Sequence, residues 1–200
     1  MEKLSILKGR CLPIDSDDVD TDQIIPAKFL MRVTRKGLGE HAFANWSGNA
    51  IIKSAERAQA PIVLAGANFG CGSSREHAVW ALRDRGVKIV IAESLADIFS
   101  NNCARFGVLA FTLEPAVLRE LRAISTADAN FELEVDLPAQ RLRAEDGRSW
   151  SFEVDPFVKH CLIEGLDLIG LSLQADGAIS DYEGRRPRYR PRTTREVARA

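Results

Sequence analysis

From residue 61 to residue 124 the chain alternates short apolar runs with segments of helical period, and few folds can absorb that order. The runs are "PIVLAGA" (61–67), "VKIVIAES" (87–94) and "VLAFTL" (108–113). Each is too short for a helix and almost free of polar residues, as strands buried on both faces are. Between them lie helical segments, one from about Ser74 to Arg85 and the other "LADIFSNNCARF" (95–106), which stops against Gly107. Pro115 then precedes "AVLRELRAI", because proline in a first helical turn sacrifices no hydrogen bond. Strand, helix, strand, helix, strand calls for parallel strands with crossover helices.

From residue 131 the period falls to two. "FELEVDL", "QRLRAED" and "RSWSFEV" alternate apolar with polar residues, and Asp146-Gly147 supplies a hairpin turn. A helix is expected over 156–164, with "LDLIGLSL" after it. The N-terminal third shows neither period and reads as irregular. There "DSDDVDTDQIIP" packs five aspartates into eight residues, yet lacks the sixth-position Gly and twelfth-position Glu of an EF-hand loop. "AKFLMRVTRKGLGEHAFANW" (27–46), interrupted by Gly37 and Gly39, reads as a long loop with short helical pieces, a kind of segment that often carries function. The expected fold is α/β, a mostly parallel sheet with crossover helices plus a smaller antiparallel β layer. One domain over 1–184 is expected, followed by a flexible, solvated tail over 185–200 with seven arginines against one acid.

Composition narrows the class of function. A net charge of −1 gives no reason to expect nucleic acid or an anionic membrane as partner. No apolar run suits a signal peptide or a membrane span, so a soluble, cytoplasmic protein is expected. The four cysteines, Cys11, Cys71, Cys103 and Cys161, stand 60, 32 and 58 residues apart. With no C-x-x-C pair they are expected to be free thiols, and no metal is expected in this chain.

The stretch most in need of a chemical explanation is "FGCGSSREHA" (69–78). It is not a dinucleotide fingerprint, because Arg75 stands where the third glycine belongs. It has no lysine for a phosphate loop, and Glu76 excludes a nucleophile elbow. Ser73 and Glu76 have the spacing of a helix capping box. That reading leaves Gly70, Gly72 and Arg75 unexplained, since a cation is unfavourable in a first helical turn. A site for a small carboxylate accounts for all of them. Glycines admit close approach, helix-start amides and hydroxyls donate, and Arg75 can grip a carboxylate with two parallel hydrogen bonds. The same donors would stabilise a serine alkoxide, letting a serine act as base without a histidine.

"NFGCGSSREHAVWAL" resembles the signature of the aconitase swivelling domain. Together with "DVDTDQIIPAKFL", "GLGEHAFANW", "GLDLIGLSLQ" and "AISDYEGRRP", it is similar to the 3-isopropylmalate dehydratase small-subunit family over roughly residues 1–187. The resemblance implies a swivelling β/β/α domain and a hydro-lyase of leucine biosynthesis. It also implies a separately encoded large subunit that carries a [4Fe–4S] cluster, the pair forming a heterodimer or heterotetramer. By motif, Ser73 matches the family's base, and Ser74 with Arg75 its substrate-binding pair. Asp22 falls at an active-site aspartate, with an Asx turn as the alternative. Arg32 and Arg35 are both candidates for a loop arginine. Leu30 and Met31 lie where the family distinguishes substrates, and core packing is open for either. His77 is expected to be structural, and Cys71 to pack beneath the turn or, if partly exposed at a helix start, to have a lowered pKa. Two rivals are a sister hydro-lyase subunit acting on homoaconitate or methylmalate-type acids, and a carboxylate-binding module without catalysis.

Overall fold

The computed structural model describes residues 1–31, 34–46, 51, 52 and 54–187, which fall into two compact units, Met1–Asp167 and Leu168–Ala200. The first unit is built on one seven-stranded sheet. Strands β1 (Ile6–Pro13), β2 (Ile62–Ala65), β3 (Ile89–Ala92) and β4 (Leu109–Thr112) run parallel. On the other edge of β1, strands β5 (Glu132–Asp136), β6 (Arg141–Ala144) and β7 (Ser149–Ser151) continue antiparallel, giving the order β4-β3-β2-β1-β5-β6-β7. The α/β class stands, and the antiparallel strands prolong the parallel sheet through β1.

Strand β1 corrects the expectation of an irregular N-terminal third. Its period was hidden because its two halves have different neighbours. Ile6–Arg10 pairs with β5, where one face is open to solvent, whereas Cys11–Pro13 pairs with β2 and is buried on both faces. A strand that changes environment midway shows neither a clean alternation nor an unbroken apolar run.

The parallel strands conceal a period of two inside their apolar runs. Ile62, Leu64, Ile89, Ile91, Leu109 and Phe111 face helices α4 (Pro115–Ala127) and α5 (Pro156–Glu164). The smaller Val63, Ala65, Val90 and Ala92 face α2 (Glu76–Asp84) and α3 (Asp97–Phe106). Each fully buried Leu, Ile or Phe contributes about 1.5–3 kcal/mol. Helices α2 and α3 follow β2 and β3 in the chain, which puts their N-termini at the carboxyl ends of those strands. Arg122 of α4 donates to Glu93, just past β3, at 2.8 Å, and both side chains are nearly buried. The expected hairpin is present, with Gly147 at φ +87°.

Helix α2 begins at Glu76, two residues later than expected, because Arg75 is still extended (φ −131°, ψ 109°). A short helix α1 (Thr21–Ile24) and 3-10 turns at 27–29, 39–41 and 55–57 occupy the N-terminal loops. The second unit contains α6 (Leu168–Leu173) and α7 (Asp176–Arg185). Of the expected tail, residues 188–200 lie outside the described residues. Among the described residues, no helix is long and apolar enough to cross a membrane.

Candidate functional site

The turn after β2 is held by backbone on both sides. The Phe69 N–H donates to the Ser94 carbonyl and the Ala96 N–H donates back to Phe69, each at 3.0 Å. On the opposite edge, the Gly70 N–H donates to Val19 at 2.8 Å and the Thr21 N–H to Cys71 at 3.0 Å. The parallel order β1-β2-β3 is thus prolonged beyond its strands by isolated bridges Asp20–Cys71 and Phe69–Leu95. Such a position, at the carboxyl ends of parallel strands, is where open α/β sheets hold ligands. The Thr21 hydroxyl adds a hydrogen bond to the Ser73 carbonyl at 2.9 Å.

Gly70 and Gly72 both have positive φ, +80° and +85°. Gly70 has a second, packing reason that its sequence context did not reveal. A Cβ on Gly70 would stand 2.2 Å from Cγ of the buried Phe99. At Gly72 the nearest atom to such a Cβ is 3.4 Å away, so the backbone conformation alone selects glycine there. Close packing on Phe99, rather than ligand approach alone, accounts for Gly70.

The capping-box reading of Ser73 and Glu76 is overturned. Arg75 occupies the N-cap of α2 with no side-chain cap, and the Glu76 carboxylate pairs with Arg105 at 3.1 Å. The capping box instead lies at Asp20 and Gln23, where the Gln23 N–H donates to Asp20 at 2.7 Å and the Asp20 N–H to the Gln23 side chain at 2.8 Å. Asp22 is therefore not the turn-capping residue. It sits in the first turn of α1 and its carboxylate accepts a hydrogen bond from the Arg75 guanidinium.

Helix α3 also starts without a side-chain cap, from Ala96. Between the two helix starts lies a cleft of about 260 Å³, lined among others by Ser73, Arg75, Thr21, Asp97 and Asn102. Uncapped amides at two helix N-termini and a half-buried guanidinium favour an anion. Ser73 and Ser74 are both exposed; Ser73 lines this cleft, and Ser74 is not among the residues that do. Sequence reasoning missed Thr21 and Asn102. The signal available for Asn102 was its spacing from Phe99, which puts a polar side chain on the helix's buried face.

The loop residues lie elsewhere. The Arg35 guanidinium stacks over Trp80 at 4.9 Å and Phe106 at 5.2 Å, and lines a separate cleft with Lys36, Arg83 and Asp84. Trp80 stands one turn or more along α2 from Arg75, roughly 7 Å by helical rise. Arg32 lies outside the described residues. Leu30 is half-buried against the core, whereas Met31 is 88% exposed. His77 packs on Trp80 with ring centroids 4.4 Å apart, and His41 stacks on Phe29 at 4.0 Å.

Of the two readings of Cys71, packing beneath the turn or a lowered pKa, its surroundings oppose the second. Partial burial first, then the carboxylates of Asp20 and Asp18, push its thiol above the ordinary value. The helix that could have lowered it begins five residues later, at Glu76. Burial also raises Cys11, Cys103 and Cys161, which belong to β1, α3 and α5. Iron–sulfur ligation needs clustered thiolates. Among the described residues, no three His, Cys, Asp or Glu side chains are grouped to hold a metal. All four cysteines are among the described residues, and their separate places in β1, the turn after β2, α3 and α5 do not fit a [4Fe–4S] cluster.

Two family models match the chain, one described as "Aconitase C-terminal domain" over residues 1–116 and one as LeuD_N over residues 119–156. The 3-isopropylmalate dehydratase small subunit of Erythrobacter litoralis is 45% identical over 202 residues, covering 100% of both chains. That of Rubrobacter xylanophilus is 43% identical over 194 residues, covering 96% of this chain and 99% of its own. A crystal structure of 3-isopropylmalate dehydratase from Methanocaldococcus jannaschii is similar with a TM-score of 0.68 at 29% identity, covering 90% of this chain and 99% of that one.

Proposed function

Because the chain belongs to the family of 3-isopropylmalate dehydratase small subunits, we propose that it acts as the small subunit of that hydro-lyase in cytoplasmic leucine biosynthesis. With a separately encoded large subunit it interconverts 2-isopropylmalate, isopropylmaleate and 3-isopropylmalate. The observation that carries the reading is the pairing, in one cleft, of an exposed Ser73 hydroxyl with the Arg75 guanidinium beside two uncapped helix starts.

Arg75 grips a substrate carboxylate. Asp22 takes one of its five N–H donors and fixes the direction of the fork, leaving the others for the ligand. Ser73 is the base: its Oγ takes the proton from the substrate carbon as the carbon–carbon double bond forms, and returns it on rehydration. Amide dipoles at the starts of α2 and α3 favour the alkoxide this requires. Ser74, exposed beside Ser73 though outside the lining of the cleft, completes the substrate-binding pair with Arg75. Departure of the hydroxyl is assigned to the large subunit, which holds the [4Fe–4S] cluster. The 28–35 loop discriminates substrates, and Met31 is an exposed apolar side chain within it. Arg32 and Arg35 both remain loop-arginine candidates, and Arg35 would have to leave its aromatic seat.

The test is reconstitution with a cluster-loaded large subunit from a relative, followed by hydration of isopropylmaleate. Wild-type chain restores turnover. Arg75→Lys, which keeps the charge but loses the planar fork, lowers kcat/KM by about 10- to 100-fold with the fold intact. No turnover from the wild-type pair, or an unchanged kcat/KM for the variant, overturns the reading or the role of Arg75 respectively.

A further inference from the structure

One side chain in the cleft has no task within the folded chain. Asn102 lies in the second turn of α3 and is only 6% exposed. Among the described residues its side-chain amide makes no hydrogen bond, yet it is not one of the fully buried polar atoms left without a partner, so its remaining access is to the cleft it lines. A nearly buried amide whose remaining access is to a cleft is free to donate to whatever the cleft holds. Asparagine is also a poor helix former in a helix interior, so propensity does not select it there. The residue lines the cleft between α2 and α3, the same cleft that Arg75 and Ser73 line. In α3 the amides of Asp97, Ile98 and Phe99 precede the first intrahelical bond, from the Ser100 N–H to the Ala96 carbonyl at 2.9 Å. A nearly buried side-chain amide that is free to donate and a set of uncapped helix-start amides therefore line the same volume.

We propose that Asn102 is a substrate-binding residue, its side-chain N–H donating to a carboxylate oxygen of the dicarboxylate held between the first turns of α2 and α3. The proposal rests on the reading of the chain as a dehydratase small subunit and assigns a further side chain to the same site. Asp97 also lines the cleft, and its carboxylate repels a ligand's negative charge.

Asn102→Asp tests it in the assembled two-subunit enzyme. The substitution keeps the side-chain shape and replaces a donor with a carboxylate. KM for 2-isopropylmalate is expected to rise by about 10- to 100-fold, the loss expected for a hydrogen bond to a charged group. The change in kcat is expected to be far smaller, as for an interaction made in ground and transition states alike. A purely structural asparagine would lower the thermal midpoint and leave KM unchanged in the folded fraction. Should the aspartate variant fail to assemble, Asn102→Ala carries the same comparison, with a KM rise of about 10-fold expected. An active wild-type pair with unchanged KM in the variant overturns the role of Asn102 alone. A wild-type pair inert towards 2-isopropylmalate overturns the functional reading, and this inference falls with it.

Discussion

Substituting alanine separately at Gly70 and Gly72 distinguishes two reasons for having glycine in the turn. Both residues have positive φ, where an L-residue costs about 1–2 kcal/mol. At Gly72 nothing further is expected, because the new Cβ would come no closer than 3.4 Å to any neighbour. At Gly70 the Cβ would fall 2.2 Å from Cγ and 2.6 Å from Cβ of Phe99. Phe99 is 2% exposed, and its ring meets Phe69 edge-on at 5.4 Å, so it has little room to retreat. Overpacking of this kind adds about 1–3 kcal/mol. The totals are therefore about 2–5 kcal/mol for Gly70→Ala and about 1–2 kcal/mol for Gly72→Ala. Urea unfolding followed by circular dichroism reads the difference. With a slope of about 2 kcal/mol per molar, the midpoint falls by about 1–2.5 M for Gly70→Ala and about 0.5–1 M for Gly72→Ala, the slope itself unchanged. Equal midpoints for the two variants would refute the argument from Phe99 and return Gly70 to a role in ligand approach alone.

Two further outcomes follow from the same turn. Ser73→Ala is expected to leave the thermal midpoint of the chain nearly unchanged, because Ser73 caps nothing, while turnover in the assembled enzyme falls by about 100- to 10,000-fold. A stability loss of about 1 kcal/mol would reinstate the capping role. Cys71, its thiol raised by partial burial and by Asp20 and Asp18, holds less thiolate at pH 8 than an unperturbed cysteine and should be alkylated by iodoacetamide more slowly than a peptide thiol. Faster alkylation of Cys71, located by peptide mapping, would contradict that environment.

The parallel half of the fold was legible because each of its elements carries its own signal. The runs at 61–67, 87–94 and 108–113 are buried on both faces, and Gly107 and Pro115 mark helix ends where the structure has them, the one as a left-handed C-cap and the other at N1. The period-two strands β5, β6 and β7 were equally plain, each having one solvent face. Strand β1 was not, because it belongs to both halves. Lys8 and Arg10 lie where it pairs with β5, and Cys11 and Leu12 where it pairs with β2. Its status as a strand depends on partners some fifty residues and more than a hundred residues away, and no local window contains them.

The site divides in the same way. Ser73 and Arg75 could be picked out because their types are wrong for a plain helix start, whereas Thr21 and Asn102 join them only through pairing across the sheet and packing of α2 on α3. The structure sharpens what is wrong with Arg75. It takes the N-cap, where Ser, Thr, Asp or Asn would accept hydrogen bonds from the first amides, and it brings positive charge to the positive end of the helix dipole. Asp22 offsets the charge from a neighbouring helix, yet α2 still has no side-chain cap. A single carboxylate in the cleft repairs both faults, accepting from the orphan amides and from the guanidinium together. Natural sequences depart from local rules mainly where function demands it. Here two departures fall on one residue, and the ligand that relieves both is the kind of anion a dicarboxylate hydro-lyase must hold.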